Sequence, residues 1–272
     1  MSKKQKHIVD LDKILENTPK RKVQDELFRY IIANSNLPGP RGNLELASAF
    51  EEIITNRTSG NSVEELWELC SSMSDISTLE APVNDPKEFI AFCGTRGLGA
   101  VGASMPEYQE RALFRLRTLA QDSRWRMREA VAMALQKLLS SCDIKIRKDL
   151  EDWIEQDDWL VIRGVMAGVA EPSLLMDTGF TEWALDAHTK VLDKIRASSD
   201  RESDEFRILR KALGYTLSVV VKATPSTGFR TLEEQIKIDD ADIKWIVKEN
   251  LKKKRLASNF PEEVDKLAKI LA

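Results

Sequence analysis

The sequence predicts an all-α fold, a right-handed α–α superhelix of stacked helix pairs, and three observations carry that expectation. A short motif recurs: an aspartate, five residues, then an arginine near the start of a helix. It runs Asp122 to Arg128, Asp157 to Arg163 and Asp204 to Arg210, and a fourth copy, Asp242 to Lys248, keeps the charge. The residue before each cation is apolar (Met127, Ile162, Leu209, Val247), and the four aspartates stand 35, 47 and 38 residues apart, the period of stacked helix pairs. Composition agrees: 42% of the 272 residues are hydrophobic, with 12 glycines and 9 prolines, which favours helix. Between start signals, apolar residues fall at helical spacing, as in Val23, Leu27, Tyr30 and Ile31.

Taken in order, residues 1–105 read as irregular helical pairs that cap a repeat array. A short helix covers Ile8–Leu15, and Thr18-Pro19 starts the next, with proline suited to a first helical position. The stretch from Asn36 to Asn43 (Asn-Leu-Pro-Gly-Pro-Arg-Gly-Asn) is the most heavily punctuated loop in the chain. Asn43 caps a helix running to about Thr55. Asn61 and Ser62, with Glu64 and Glu65 following, offer a capping box for a helix carrying Leu66, Trp67 and Cys70. Asp85-Pro86 starts another. The array proper spans 106–256, as pairs 107–120 with 123–140, 143–155 with 158–171, 181–198 with 204–223, and 228–237 with 240–256. A polar loop from Ala197 to Asp204 stretches the third interval. An amphipathic helix in 257–272 (Val264, Leu267, Ile270) closes the end, and the whole reads as one continuous domain.

The motif has a physical basis. An aspartate just before a helix accepts hydrogen bonds from first-turn N–H groups and suits the positive end of the dipole. Six residues make about 1.7 turns, so the cation lies far round the helix from its own aspartate. In a stack it reaches the aspartate of the next repeat instead, giving a ladder of Asp122, Arg128, Asp157, Arg163, Asp204, Arg210, Asp242 and Lys248. The pattern resembles the HEAT repeat of the armadillo-like α-solenoids, whose second helix carries an Asp and an Arg at this spacing. The resemblance covers roughly Pro106 to Arg255 and implies that second helices line a concave wall.

Composition bounds the function. Net charge is −3, so no global excess attracts nucleic acid or an anionic membrane. The three cysteines, Cys70, Cys93 and Cys142, are widely spaced and suggest no disulfide framework or zinc motif, in keeping with a reducing cytoplasm. The opening residues lack the apolar stretch of a secretory signal, and no apolar run approaches a membrane span. Gly97, Gly99 and Gly102 spell a dinucleotide fingerprint in a helical context, where close helix packing is the better reading. His7, in the tail, and His188, within a helix, lack metal-ligand spacing. The acidic cluster Glu151, Asp152 and Glu155 reads as a solvated face rather than an acid–base pair. No catalytic residue, cofactor or metal is therefore expected.

The candidate binding surface is the cationic side of the second helices. Its residues are Trp125, Arg126, Arg207, Lys211, Trp245 and Lys252, with Arg124, Lys222, Lys244, Lys253, Lys254 and Arg255 in support. Trp125 and Trp245 hold the same repeat position, three before the cation, where an indole stacks on a cation, receives a ring, or fills an inter-repeat gap. Arg41 sits on the stiff Leu37–Gly42 loop, which reads first as a tight connection. The expectation is a non-catalytic scaffold binding an acidic protein or peptide on a basic concave face. The alternative is nucleic-acid binding, because the array also has a distant similarity to HEAT-like DNA-alkylation-repair proteins.

Overall fold

The computed structural model describes residues 1–17, 20–59, 63–141, 144–156 and 158–271, with the backbone alone for residues 17, 20 and 21. Thr18-Pro19, Asn61, Ser62, Cys142 and Asp157 lie outside the described residues. Those described form helices joined by loops, with no strand among them. The chain divides into two compact units, residues 1–142 and 143–272. The helices at 109–119 and 125–139, expected as the first pair of the array, fall in the first of these units.

Unit 1 contains α1 (Lys3–Asn17), α2 (Lys20–Asn34), α3 (Leu44–Arg57), α4 (Val63–Ser74), α5 (Glu88–Ser104), α6 (Gln109–Leu119) and α7 (Trp125–Leu139). Alternate helices pack in a row, α1 on α3, α3 on α5 and α5 on α7, with α2, α4 and α6 also against α5. The sequence explains why α5 is central. Its run Glu-Phe-Ile-Ala-Phe-Cys-Gly-Thr-Arg-Gly-Leu-Gly-Ala-Val-Gly is apolar nearly all round, and a helix without a polar face must be covered on every side. Each residue from Glu88 to Gly102 is buried. Burying each large apolar side chain contributes about 1.5–3 kcal/mol. The one arginine, Arg96, is compensated by Glu51 at 2.7 Å. The glycines let neighbours approach: a Cβ on Gly99 would lie 2.7 Å from the Ala134 Cα, and one on Gly97 would lie 2.4 Å from the Cys70 Sγ. The fingerprint glycines thus serve helix packing.

Unit 2 contains α8 (Ile144–Gln156), α9 (Trp159–Val169), α10 (Thr178–Ala197), α11 (Asp204–Ala223), α12 (Pro225–Ile236), α13 (Ala241–Leu251), α14 (Lys254–Ala257) and α15 (Pro261–Leu271). Here α9, α11 and α13 form the row, and α8, α10 and α12 pack against their partners. The expected helix over 240–256 is in fact two, α13 and α14. Buried polar groups fix the register between layers. Asn250 on α13 donates to the carbonyls of Leu213 (2.8 Å) and Ile246 (2.7 Å) and accepts from the Ser218 N–H (2.7 Å). His188 on α10 is fully buried, donates from Nδ1 to the Ala184 carbonyl (2.8 Å) and meets the Thr216 hydroxyl on α11 through Nε2 (3.1 Å). Burial holds its imidazole neutral, with the pKa pushed down to about 4.

The caps sit one or two residues from where the motif places them. Asp158 caps α9, accepting from the Leu160 and Val161 N–H groups; Ser203 caps α11; and Asp240 caps α13. Asp204 and Asp242 lie inside the first turn instead, and Asp122 accepts from the Arg124 N–H at 2.7 Å, ahead of α7. The capping residue must hold non-helical backbone angles. In these repeats that is the residue before the helix begins to wind. Asn43 caps α3 as expected, accepting from the Leu46 N–H at 3.1 Å.

Candidate functional site

The residues expected on a basic wall are distributed over both units, and burial sorts them. In unit 1, Arg124 is 2% exposed and Arg126 is 4% exposed, so neither is a surface cation. Arg124 pairs with Asp122 at 2.6 Å and donates to the carbonyls of Ile76 (2.9 Å) and Ala81 (3.2 Å), tying the loop before α5 to the start of α7. Arg126 reaches the fully buried Glu88 at 3.1 Å, the Gly39 carbonyl at 2.6 Å and the Asn84 Oδ1 at 3.2 Å. Its guanidinium lies 4.5 Å from the Trp125 ring centroid. A buried cation persists because a buried carboxylate and carbonyls answer it.

Trp125, by contrast, is 45% exposed. It walls two adjoining clefts. One, about 510 Å³, has an apolar lining of Leu44, Phe89, Phe92 and Met133, with Arg41, Glu45 and Glu129 also on its wall; the other, about 500 Å³ and shallower and more open, is lined by Pro38, Pro40, Val83 and Asn84. Phe89 and Phe92 stack with centroids 5.1 Å apart. The punctuated loop forms the shared wall and is pinned along its length. The Asn43 N–H donates to the Ser35 carbonyl (2.9 Å), the Gly39 N–H donates to Asn84 Oδ1 (2.9 Å), and Asn43 Nδ2 donates to the Asn34 carbonyl (2.8 Å). Gly42 lets the loop lie against Phe89: a Cβ there would come within 2.6 Å of the ring.

A polar chain supports the loop from below. Asn43 Nδ2 lies 3.2 Å from His7 Nε2, His7 Nδ1 lies 2.8 Å from the Tyr30 hydroxyl, and that hydroxyl donates to Asp10 at 3.1 Å. His7 is therefore no tail residue; it is buried on α1. Burial lowers its pKa, and burial with the Asp10 contact raises that of Tyr30. Both groups are held neutral around neutral pH.

In unit 2 the charges behave differently. Arg210 Nε lies 2.8 Å from Asp242 Oδ1, a contact between second helices of successive pairs, although the N–H is not directed along it. The Arg210 guanidinium sits 4.0 Å from the Trp245 centroid, and Trp245 packs against Gly214, where a Cβ would come within 3.2 Å of the ring. Arg201 adds a second tie to Asp240 at 2.7 Å. Asp204 does not serve as a rung: its side chain is 84% exposed and pairs with Arg207 of its own helix at 2.7 Å. Arg163 is buried in α9, whereas in unit 1 Arg128 turns back to the carbonyls of Asp122 (2.7 Å) and Ser123 (2.9 Å). Lys252 pairs with Glu249 and Lys244 with Asp239. Lys211 and Lys222 are exposed on α11, and Lys248 on α13.

Glu151 Oε1 accepts from Trp183 Nε1 at 2.6 Å. Cys70 and Cys93 are buried free thiols, and burial pushes the Cys93 pKa up to about 12. Among the described residues, no three His, Cys, Asp or Glu side chains converge as a metal site. None of the described helices is long and apolar enough to cross a membrane.

No family model matches the sequence, and no curated protein matches it either. Among solved structures, the chain is similar to a designed armadillo repeat protein, YIII(Dq)4CqI, at 13% identity over 82% of this chain and 98% of that one. The TM-score of 0.28 gives that likeness no weight for fold or function.

Proposed function

We propose that this protein is a non-catalytic helical scaffold that binds a segment of a protein partner at Trp125 in unit 1. The observation carrying this reading is the half-exposed indole between two apolar clefts, backed by a buried ion pair and facing a pinned loop. A rigid aromatic in a preorganised apolar recess is the usual composition of a protein-binding hot spot. Unit 2 contributes the acidic-partner part of the expectation: Lys211, Lys222 and Lys248 are exposed, with no ion pair among the described residues. Burial of Arg124 and Arg126 removes two cations from the expected basic face, whether its partner is an acidic protein or a nucleic acid. A cytoplasmic setting remains part of the proposal.

The test is a quantitative pulldown from native extract with the full chain, Trp125→Ala and Lys211→Glu. A true partner is depleted about tenfold or more by Trp125→Ala, and more weakly by Lys211→Glu. A salt series with a short duplex and a single strand runs beside it. Tight low-salt binding that weakens steeply with salt, with no Trp125-dependent protein captured, would overturn the proposal.

A further inference from the structure

The two clefts share a ridge. Trp125, Arg126 and Pro40 line both, so the clefts adjoin at these residues, with Leu44, Phe89, Phe92 and Met133 on one side and Pro38 and Val83 on the other. A ligand filling both must present two apolar groups astride a single ring. In an extended chain, residues i and i+2 point the same way and lie about 6.5–7 Å apart.

The backbone of the loop points to the same ligand conformation. Prolines supply carbonyl oxygens but no N–H. The carbonyls of Pro38 and Pro40 are engaged by no hydrogen bond among the described residues, whereas the Gly39 N–H and carbonyl between them are both used within the protein. Such a wall offers acceptors to a chain with free N–H donors. An extended segment has them; a helix has already used its own.

Charge completes the description. Arg41 is exposed on the wall of the larger cleft and forms no hydrogen bond or ion pair among the described residues. Two carboxylates line the same cleft: Glu45, in the first turn of α3, where the helix dipole already stabilises its charge, and Glu129, which is engaged within the protein. Neither carboxylate pairs with Arg41, so its guanidinium is open to a carboxylate carried by the ligand beside the apolar pair.

We infer that the bound segment is extended, carries two apolar side chains at i and i+2 that straddle Trp125, and has an Asp or Glu beside them that meets Arg41. This inference rests on the Trp125 cleft being a binding site. A random twelve-residue phage-displayed peptide library is panned on the full chain, with Trp125→Ala and Leu44→Asp panned in parallel. Enriched peptides are then measured by fluorescence anisotropy. Clones lost on both variants, with the apolar pair two apart and an adjacent acid, are expected. Their affinity should fall about thirtyfold with Trp125→Ala and about tenfold with Arg41→Glu, and changing the peptide acid to lysine should recover the latter. Trp125-dependent clones with apolar residues three or four apart, or indifference to Arg41→Glu, would overturn the inference while leaving the cleft reading intact. Absence of any Trp125-dependent clone would overturn both. Melting curves matching the unaltered chain establish that the variants fold.

Discussion

Two tryptophans occupy equivalent places in the repeat motif and lead different lives. Trp125 begins α7 and is 45% exposed, while the arginine stacked on it, Arg126, is buried. Trp245 lies in the first turns of α13, wedged against Gly214 and roofed by Arg210, a residue of the adjacent helix. In unit 2 the cation and indole join neighbouring helices. In unit 1 the cation turns inward to Glu88 and leaves the indole at the wall of a cleft. The motif sets where a tryptophan and a cation fall on a helix; the neighbouring element decides whether the pair stitches or presents.

Substitutions can break this contrast in order of size. Arg126→Ala strands the fully buried Glu88 carboxylate, so urea unfolding should show a loss of about 3–5 kcal/mol. A loss no larger than that of Arg210→Ala, a part-exposed pair for which about 1 kcal/mol is expected, would erase the distinction. The next effect is acid sensitivity in unit 2. The folded-state pKa of His188 is depressed to about 4 from an ordinary 6.5, so the unfolded chain takes up the proton first. Its contribution is complete above about pH 6.5 and is lost as pH falls towards 4, a loss of roughly 3 kcal/mol. Stability measured between pH 7 and 4 should fall less steeply in His188→Gln; identical slopes would contradict the buried neutral imidazole.

Smaller differences sharpen the pair itself. Trp245→Ala should cost about 2 kcal/mol by opening the Gly214 gap, whereas Trp125→Ala should cost under about 1 kcal/mol. Lys211→Glu should leave unfolding within about 0.5 kcal/mol. Equal melting of the two tryptophan variants would mean that Trp125 is packing after all.

The helix pairs were legible because their evidence is local. Repeat period and apolar spacing place 107–120, 123–140, 143–155 and 204–223 within a few residues of α6, α7, α8 and α11. The candidate site was only half legible. Trp125 stood out, but the burial of Arg124 and Arg126 depends on partners about forty residues upstream, Glu88 and the carbonyls of Ile76 and Ala81. One signal was available: Glu88 heads a helix otherwise nearly devoid of charge, and a carboxylate there needs a cation from elsewhere. His7 gave no such hint, since its hydrogen-bond partners Tyr30 and Asn43 lie on other elements. The ladder was read too evenly. Arg210 to Asp242 spans adjacent helices, while Asp204 faces solvent, because the Asp200–Ser203 turn moves the cap to Ser203 and leaves Asp204 on the exposed side of the first turn.

The most direct test follows the six indole N–H signals by two-dimensional NMR while a peptide enriched by panning is titrated into the full chain. The Trp125 signal should move saturably, and that of Trp245 should stay in place. Movement of Trp245 with Trp125 unmoved would contradict the assignment of binding to one indole and packing to the other.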